Sequence, residues 1–166
     1  MRLLSDHVQE ITGKRVLLRC NFDVPMEHEQ VADTTRINDC GVTLRVLLDH
    51  GCKVVLLAHA GRPEGKRNKE FSLSPVVEVL EKMVGETVGF VEELDQVKES
   101  PARVTLLENL RFWPEEEAND PEFASQLGSL CEIYVNDAFG TAHRKHASTW
   151  GIPAVTTQKG MGLLIE

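Results

Sequence analysis

Positive charge is scarce in this 166-residue chain: 18 Lys and Arg stand against 26 Asp and Glu, giving a formal charge of −8 and a pI near 5.3. That balance argues against a nucleic-acid partner, which needs a basic surface to neutralise phosphates. Also missing is any apolar run approaching the ~18 to 20 residues that cross a bilayer. Residues 1–10 carry two acidic side chains and no apolar block of the kind a signal peptide has. A cytoplasmic protein without membrane contact is the expectation. Cys20, Cys40, Cys52 and Cys131 are far apart in sequence and form no C-x-x-C pair, and three of them sit in or beside apolar runs. They are expected to be buried small hydrophobes, neither a disulfide frame nor a metal site. No internal repeat, low-complexity tract or long linker divides the chain. Its 42% hydrophobic and 27% charged residues are ordinary for a globular domain, and the length suits one domain.

Five short continuous apolar runs are present: residues 15–20 (RVLLRC), 53–58 (KVVLLA), 87–91, 103–107 (RVTLL) and 132–135. Such runs are expected of parallel strands buried on both faces. Between the first two, Ile37, Gly41, Leu44 and Leu48 repeat at helical spacing, residues 33–35 offer N-cap side chains, and Gly51 supplies a stop. Ser74-Pro75 opens a second helix with Val76, Leu80, Met83 and Val84 on its apolar face and Gly85 at its end; Asp120-Pro121 repeats the device before Phe123, Leu127 and Leu130. Strand and helix in alternation predict an α/β fold, a doubly wound parallel sheet in three Rossmann-like layers. Residues 66–69 and 115–117 are expected to be solvated charged loops.

In open α/β sheets, ligands bind beyond the carboxyl ends of the strands. There the sequence places Asn21 and Asp23 after the first run, His59 and Arg62 after the second, Arg111 after the fourth, and Asn136 to His146 after the fifth; Arg36 joins from the start of the first helix. An acidic chain thus sends four arginines (Arg36, Arg62, Arg111, Arg144) and three histidines (His59, His143, His146) to one predicted rim. Guanidinium forks hold carboxylate or phosphate oxygens in pairs, so the pattern points to a small, multiply charged anion.

Other signals are weaker. Residues 61–66 (GRPEGK) lack the P-loop spacing, and Gly160-Met161-Gly162 lacks the third glycine of a dinucleotide fingerprint and follows no evident strand. Asn21 cannot act as the carboxylate nucleophile a phosphohydrolase would place there. His143 and His146 have no third ligand nearby, so hydrogen bonding to an anion or to the loop is expected of them, and no metal site is predicted. His50 is read as a helix C-terminal charge partner, and His7 and His28 as surface residues.

The stretches 15–25 (RVLLRCNFDVP), 33–37 (DTTRI), 58–63 (AHAGRP), 106–112 (LLENLRF) and 134–148 (YVNDAFGTAHRKHAS) together resemble the N-terminal domain of phosphoglycerate kinases, in family order and over nearly the whole chain from about Gly13. The resemblance implies a glycolytic two-lobed transferase that moves a phosphoryl group between 1,3-bisphosphoglycerate and ADP. It implies a 3-phosphoglycerate site formed by Asn21, Asp23, Arg36, His59, Arg62, Arg111 and Arg144, with Arg19, His143 and His146 nearby. Arg36 would be the catalytic arginine that reaches the migrating phosphoryl. The magnesium nucleotide (Mg-ATP or Mg-ADP) would belong to a C-terminal lobe that residues 1–166 do not resemble, so the chain alone is expected to bind 3-phosphoglycerate without catalysing transfer. One departure is local: the family reads Asp-x-Asn where this chain has Asn21-Phe22-Asp23. That exchange leaves open an alternative, a diverged non-catalytic anion-binding or interaction module. The apolar end at residues 163–165 is expected to be an exposed edge that further chain covers.

Overall fold

The five apolar runs become strands of one parallel sheet in the computed structural model, which describes Leu4 and residues 8–165. The strands are β1 (Arg15–Arg19), β2 (Met26–Glu27), β3 (Gln30–Val31), β4 (Lys53–Leu57), β5 (Val88–Val91), β6 (Val104–Leu107), β7 (Ile133–Asn136) and β8 (Gln158–Met161). The helices are α1 (Thr35–Asp49), α2 (Val76–Val84), α3 (Pro114–Ala118), α4 (Pro121–Gly128) and α5 (Ile152–Val155). Six strands pair in the order β5-β6-β4-β1-β7-β8, all parallel, and β2 and β3 form a separate hairpin.

Alternation along each strand separates two cores. Val16, Leu18, Val54 and Leu56 face Ile37, Leu44 and Leu47 of α1 and Val76 and Leu80 of α2. Leu17, Val55, Leu57 and Tyr134 face Phe123 and Leu127 of α4 and Ile152 of α5. The sheet is thus covered on both sides, the arrangement that continuous apolar strands require. Asp120 caps α4 as expected, accepting from the Phe123 N–H at 2.8 Å, and Gly51 and Gly85 take positive φ of 73° and 75°. At α1 Asp33 accepts from the Thr35 N–H at 2.8 Å from one residue before the cap position, and at α2 the cap position is Pro75, so Ser74 supplies no cap bond. His50 donates Nδ1–H to the Val46 carbonyl at 2.8 Å, a hydrogen bond to the last turn rather than a bare charge interaction. Cys20, Cys40 and Cys52 are buried and Cys131 half-buried, all as free thiols; Cys20 Sγ and Cys40 Sγ lie 2.7 Å apart.

Three expectations are corrected. Residues 158–161 form β8, an edge strand that pairs only with β7; with one neighbour and exposed Gln158 and Lys159 it has no apolar run to betray it, so Gly160 and Met161 do lie in a strand. Residues 115–117 are not a solvated loop: they belong to α3, and Glu116 is 1% exposed. Of residues 163–165, Leu163 packs on the first core and its N–H donates to Thr43 Oγ1 at 3.0 Å; Leu164 alone is exposed. The 66–69 segment is exposed as expected, and His28 sits at positive φ in the β2–β3 turn. His7 and most of residues 1–10 lie outside the described residues.

The connection from β1 to β4 runs through α1 on one face, and that from β7 to β8 through α5 on the other. The chain therefore leaves these adjacent strands in opposite directions, which opens a crevice above their carboxyl ends. No described helix is long and apolar enough to cross a membrane.

Candidate functional site

Gly61, just beyond β4, ties the crevice together. Its N–H donates to Asp23 Oδ1 at 2.8 Å and its carbonyl accepts from Arg111 Nη1 at 2.6 Å. It holds φ at +58°, and a Cβ there would sit 2.3 Å from the Phe71 ring, so only glycine lets this backbone serve both partners. Asp23 reaches back through its carbonyl, which accepts from Arg36 Nη1. Asn21 lies against Gly140, whose added Cβ would meet the Asn21 amide at 3.0 Å.

Arg111 is 3% exposed, an unusual place for a cation. Asn109, fully buried, sets the turn: its Oδ1 accepts from the Arg111 N–H at 3.0 Å, and its Nδ2 donates to the carbonyls of Ala60 and Phe71 at 2.7 and 2.9 Å. Glu108 anchors that turn by accepting from Ser72 Oγ and the N–H groups of Leu73 and Asn109. The guanidinium meets Glu117 Oε1 at 3.5 Å through Nε, while Nη2 is buried with no hydrogen-bond partner among the described residues. Burial pulls the Arg111 pKa down, and Glu117 opposes the shift. Arginine stays charged regardless, so the crevice holds a buried cation with an unused donor.

Arg62 is exposed and Arg144 half-buried, and neither side chain pairs with any described residue. Arg144 is close enough to Arg111 for the two charges to oppose each other. His59 is 3% exposed and held neutral: burial first, then Arg19, Arg111, Arg144 and His146, push its pKa down to about 2. It contributes a hydrogen bond rather than a charge. Arg19 is buried beneath the rim with each of its three guanidinium nitrogens bonded inside the protein, Nε to Ser148 Oγ at 2.8 Å, Nη2 to His59 Nδ1 at 3.0 Å and Nη1 to the Cys20 carbonyl. It supports the site without lining it.

The loop carrying Arg144 and His146 is docked by Glu116, which accepts from the N–H and Oγ of Ser148 at 2.8 and 2.5 Å. A single π-helical turn, residues 147–151, follows, and Thr149 closes a reciprocal cap with His146. Burial lowers the His146 pKa, and Glu116, 4.0 Å away, opposes it. His143 is exposed and makes no described contact. Among the described residues, no three His, Cys, Asp or Glu gather to hold a metal ion.

Arg36, Asp23, His59, Arg111 and Arg144 are thus brought to one rim, with Arg62 directly after Gly61. Strand-end placement puts Glu108 and Asn109 beside Arg111 without revealing their anchoring roles, while Glu116 and Ser148 carry no such signal in the sequence.

The family model for phosphoglycerate kinase matches residues 5–166. The chain belongs to the phosphoglycerate kinase family. It is 51% identical over 150 residues to the phosphoglycerate kinase of Moorella thermoacetica, covering 86% of this chain and 38% of the relative. The enzyme of Solibacter usitatus is 46% identical over 178 residues, with 100% and 45% covered. The phosphoglycerate kinase structure from Coxiella burnetii superposes with a TM-score of 0.85 at 36% identity, over 93% of this chain and 40% of that one. That from Pyrococcus horikoshii gives 0.84 at 29%, over 99% and 43%. The chain therefore spans about two fifths of the length of the phosphoglycerate kinases it matches, which are transferases, and its sheet is the single α/β lobe they share.

Proposed function

We propose that residues 1–166 are the N-terminal, phosphoglycerate-binding lobe of a phosphoglycerate kinase. In the whole enzyme this lobe presents 3-phosphoglycerate or 1,3-bisphosphoglycerate to a magnesium nucleotide held on a second lobe, within cytoplasmic glycolysis. The observation that carries this reading is the buried, unused Nη2 of Arg111 beside the unpaired guanidinium of Arg144, in a protein of net charge −8. A buried donor left without a partner costs about 1 to 3 kcal/mol, and an anion on this rim offsets that cost.

Arg62, Arg111 and Arg144 grip the stable phosphate of the substrate. The Asn21 amide donates to its carboxyl end, the Asp23 carboxylate accepts from its hydroxyl, and neutral His59 donates without adding charge. Phosphoryl transfer has a loose transition state with charge spread over equatorial oxygens, so the protein's task is placement and positive charge. Arg36, exposed on the first turn of α1 and held by the Asp23 carbonyl, is free to follow the migrating phosphoryl when the lobes close and exclude water. The rim accounts for holding the phosphoglycerate; transfer needs the nucleotide as well, so residues 1–166 by themselves are proposed to bind without transferring.

Titrating 3-phosphoglycerate into the ¹⁵N-labelled chain tests the reading. Amide shifts are expected around Gly61, Arg62, Arg111 and Arg144, and they weaken as salt screens the charges. Unchanged spectra at millimolar ligand and low salt would refute it.

A further inference from the structure

Arg19 and Glu116 are each 1% exposed, yet they do not touch. Between them stands Ser148, also fully buried, whose Oγ accepts from Arg19 Nε at 2.8 Å and donates to Glu116 Oε1 at 2.5 Å. Every polar atom of Ser148 is engaged: its N–H donates to Glu116 Oε2 at 2.8 Å and its carbonyl accepts from Tyr134 Oη at 2.5 Å. The serine hydroxyl therefore has one orientation, and a buried cation is balanced by a buried carboxylate through it. A charge buried without such balance costs several kcal/mol. At the far end of the chain of bonds, Arg19 Nη2 lies 3.0 Å from His59 Nδ1. Arginine can only donate, so Nδ1 must accept, and the imidazole proton is confined to Nε2.

We propose that Glu116 and Ser148 are positioning residues for His59: by fixing Arg19, they fix His59 as the Nε2–H tautomer, an uncharged donor turned to the ligand side of the rim. The inference deepens the proposed anion site and rests on it for its purpose. The tautomer itself is a property of the free protein. The carboxylate that does this lies behind the rim, bonded to Ser148 and 4.0 Å from His146 Nδ1, and makes no ion pair or hydrogen bond with Arg62 or Arg144. The charged and titratable groups around His59 are Arg19, Arg111, Arg144 and His146, all of which disfavour a second proton on the ring.

Long-range ¹⁵N–¹H spectra of the imidazoles in the unliganded chain provide the test. His59 is expected to show a protonated Nε2 and a bare Nδ1, unchanged between about pH 5 and 8, the range in which an ordinary histidine titrates. Ser148→Ala removes the hydroxyl bridge, and Glu116→Gln removes the charge at nearly constant shape. In either variant the Nδ1 resonance should move toward the average of two exchanging tautomers, and 3-phosphoglycerate affinity should fall about tenfold, roughly one lost hydrogen bond to a charged ligand. A proton on Nδ1 in the wild-type protein, titration of His59 within that pH range, or an unchanged tautomer in both folded variants would overturn the proposal. If neither variant folds, the wild-type spectrum alone decides. If 3-phosphoglycerate fails to bind while the tautomer is as stated, the anion reading falls and the relay stands.

Discussion

Arg36→Ala, placed in a full-length phosphoglycerate kinase carrying this lobe, is expected to lower kcat about a thousandfold while raising the phosphoglycerate Kd less than tenfold. Arginines that meet the transferring phosphoryl group contribute about 10³ or more to rate, because their charge is used in the transition state and little before it. The structure supplies the second half of the expectation. Arg36 is exposed, its guanidinium hydrogen-bonds the Asp23 carbonyl and it lies within electrostatic reach of exposed Asp33, so its removal is expected to leave the lobe folded. Steady-state kinetics with calorimetry of 3-phosphoglycerate binding separates the two effects. Equal loss in both would make Arg36 a simple ligand contact and remove its assigned role.

Arg111→Met should separate binding from stability in the opposite way. The guanidinium is 3% exposed, with Nη2 unpartnered, Nη1 on the Gly61 carbonyl and Glu117 3.5 Å away in partial solvent. In the free protein the desolvated cation is a burden that Arg144 increases by repulsion. An apolar chain of similar length removes that burden and loses one backbone hydrogen bond, so the urea midpoint is expected to stay the same or rise. Phosphoglycerate affinity should fall about a hundredfold, within the 2 to 5 kcal/mol typical of truncating one partner of a buried charge contact. A variant that binds normally, or one that unfolds outright, would show that Arg111 serves the fold and not the ligand. This opposition between stability and binding is characteristic of functional sites.

The sheet was legible because a strand buried on both faces has to be apolar throughout: β1, β4 and β6 announce themselves as RVLLR, KVVLL and VTLL. β8 was not, since QKGM at an edge has only one neighbour to satisfy. Helix starts were equally plain where chemistry marks them, as at Asp120-Pro121. The rim arginines followed from strand-end placement, but their states did not. Nothing in the letters distinguishes buried Arg111 from exposed Arg62, or reveals that all three guanidinium nitrogens of Arg19 are engaged inside the protein. Glu116 was hidden for the same reason: three consecutive glutamates look solvated, and only the docking of Ser148 selects the middle one for burial. Partners that pair Glu116 with Ser148 across 32 positions are set by topology, not by local pattern.

The exchange of Asn21 and Asp23 is also decided by geometry. Asp23 Oδ1 accepts from the Gly61 N–H, a bond that an asparagine carbonyl could make equally well. What differs is charge: Asp23 places a carboxylate within electrostatic reach of Arg111, where it favours the charged guanidinium.

A crystal structure of this chain soaked with 3-phosphoglycerate examines the anion rim most directly. The phosphate should lie within hydrogen-bond distance of Arg111 Nη2 and be flanked by Arg62 and Arg144, with the carboxyl end toward the Asn21 amide and the hydroxyl toward Asp23. A ligand bound elsewhere on the sheet, or a phosphate that leaves Arg111 Nη2 without a partner, would contradict the site.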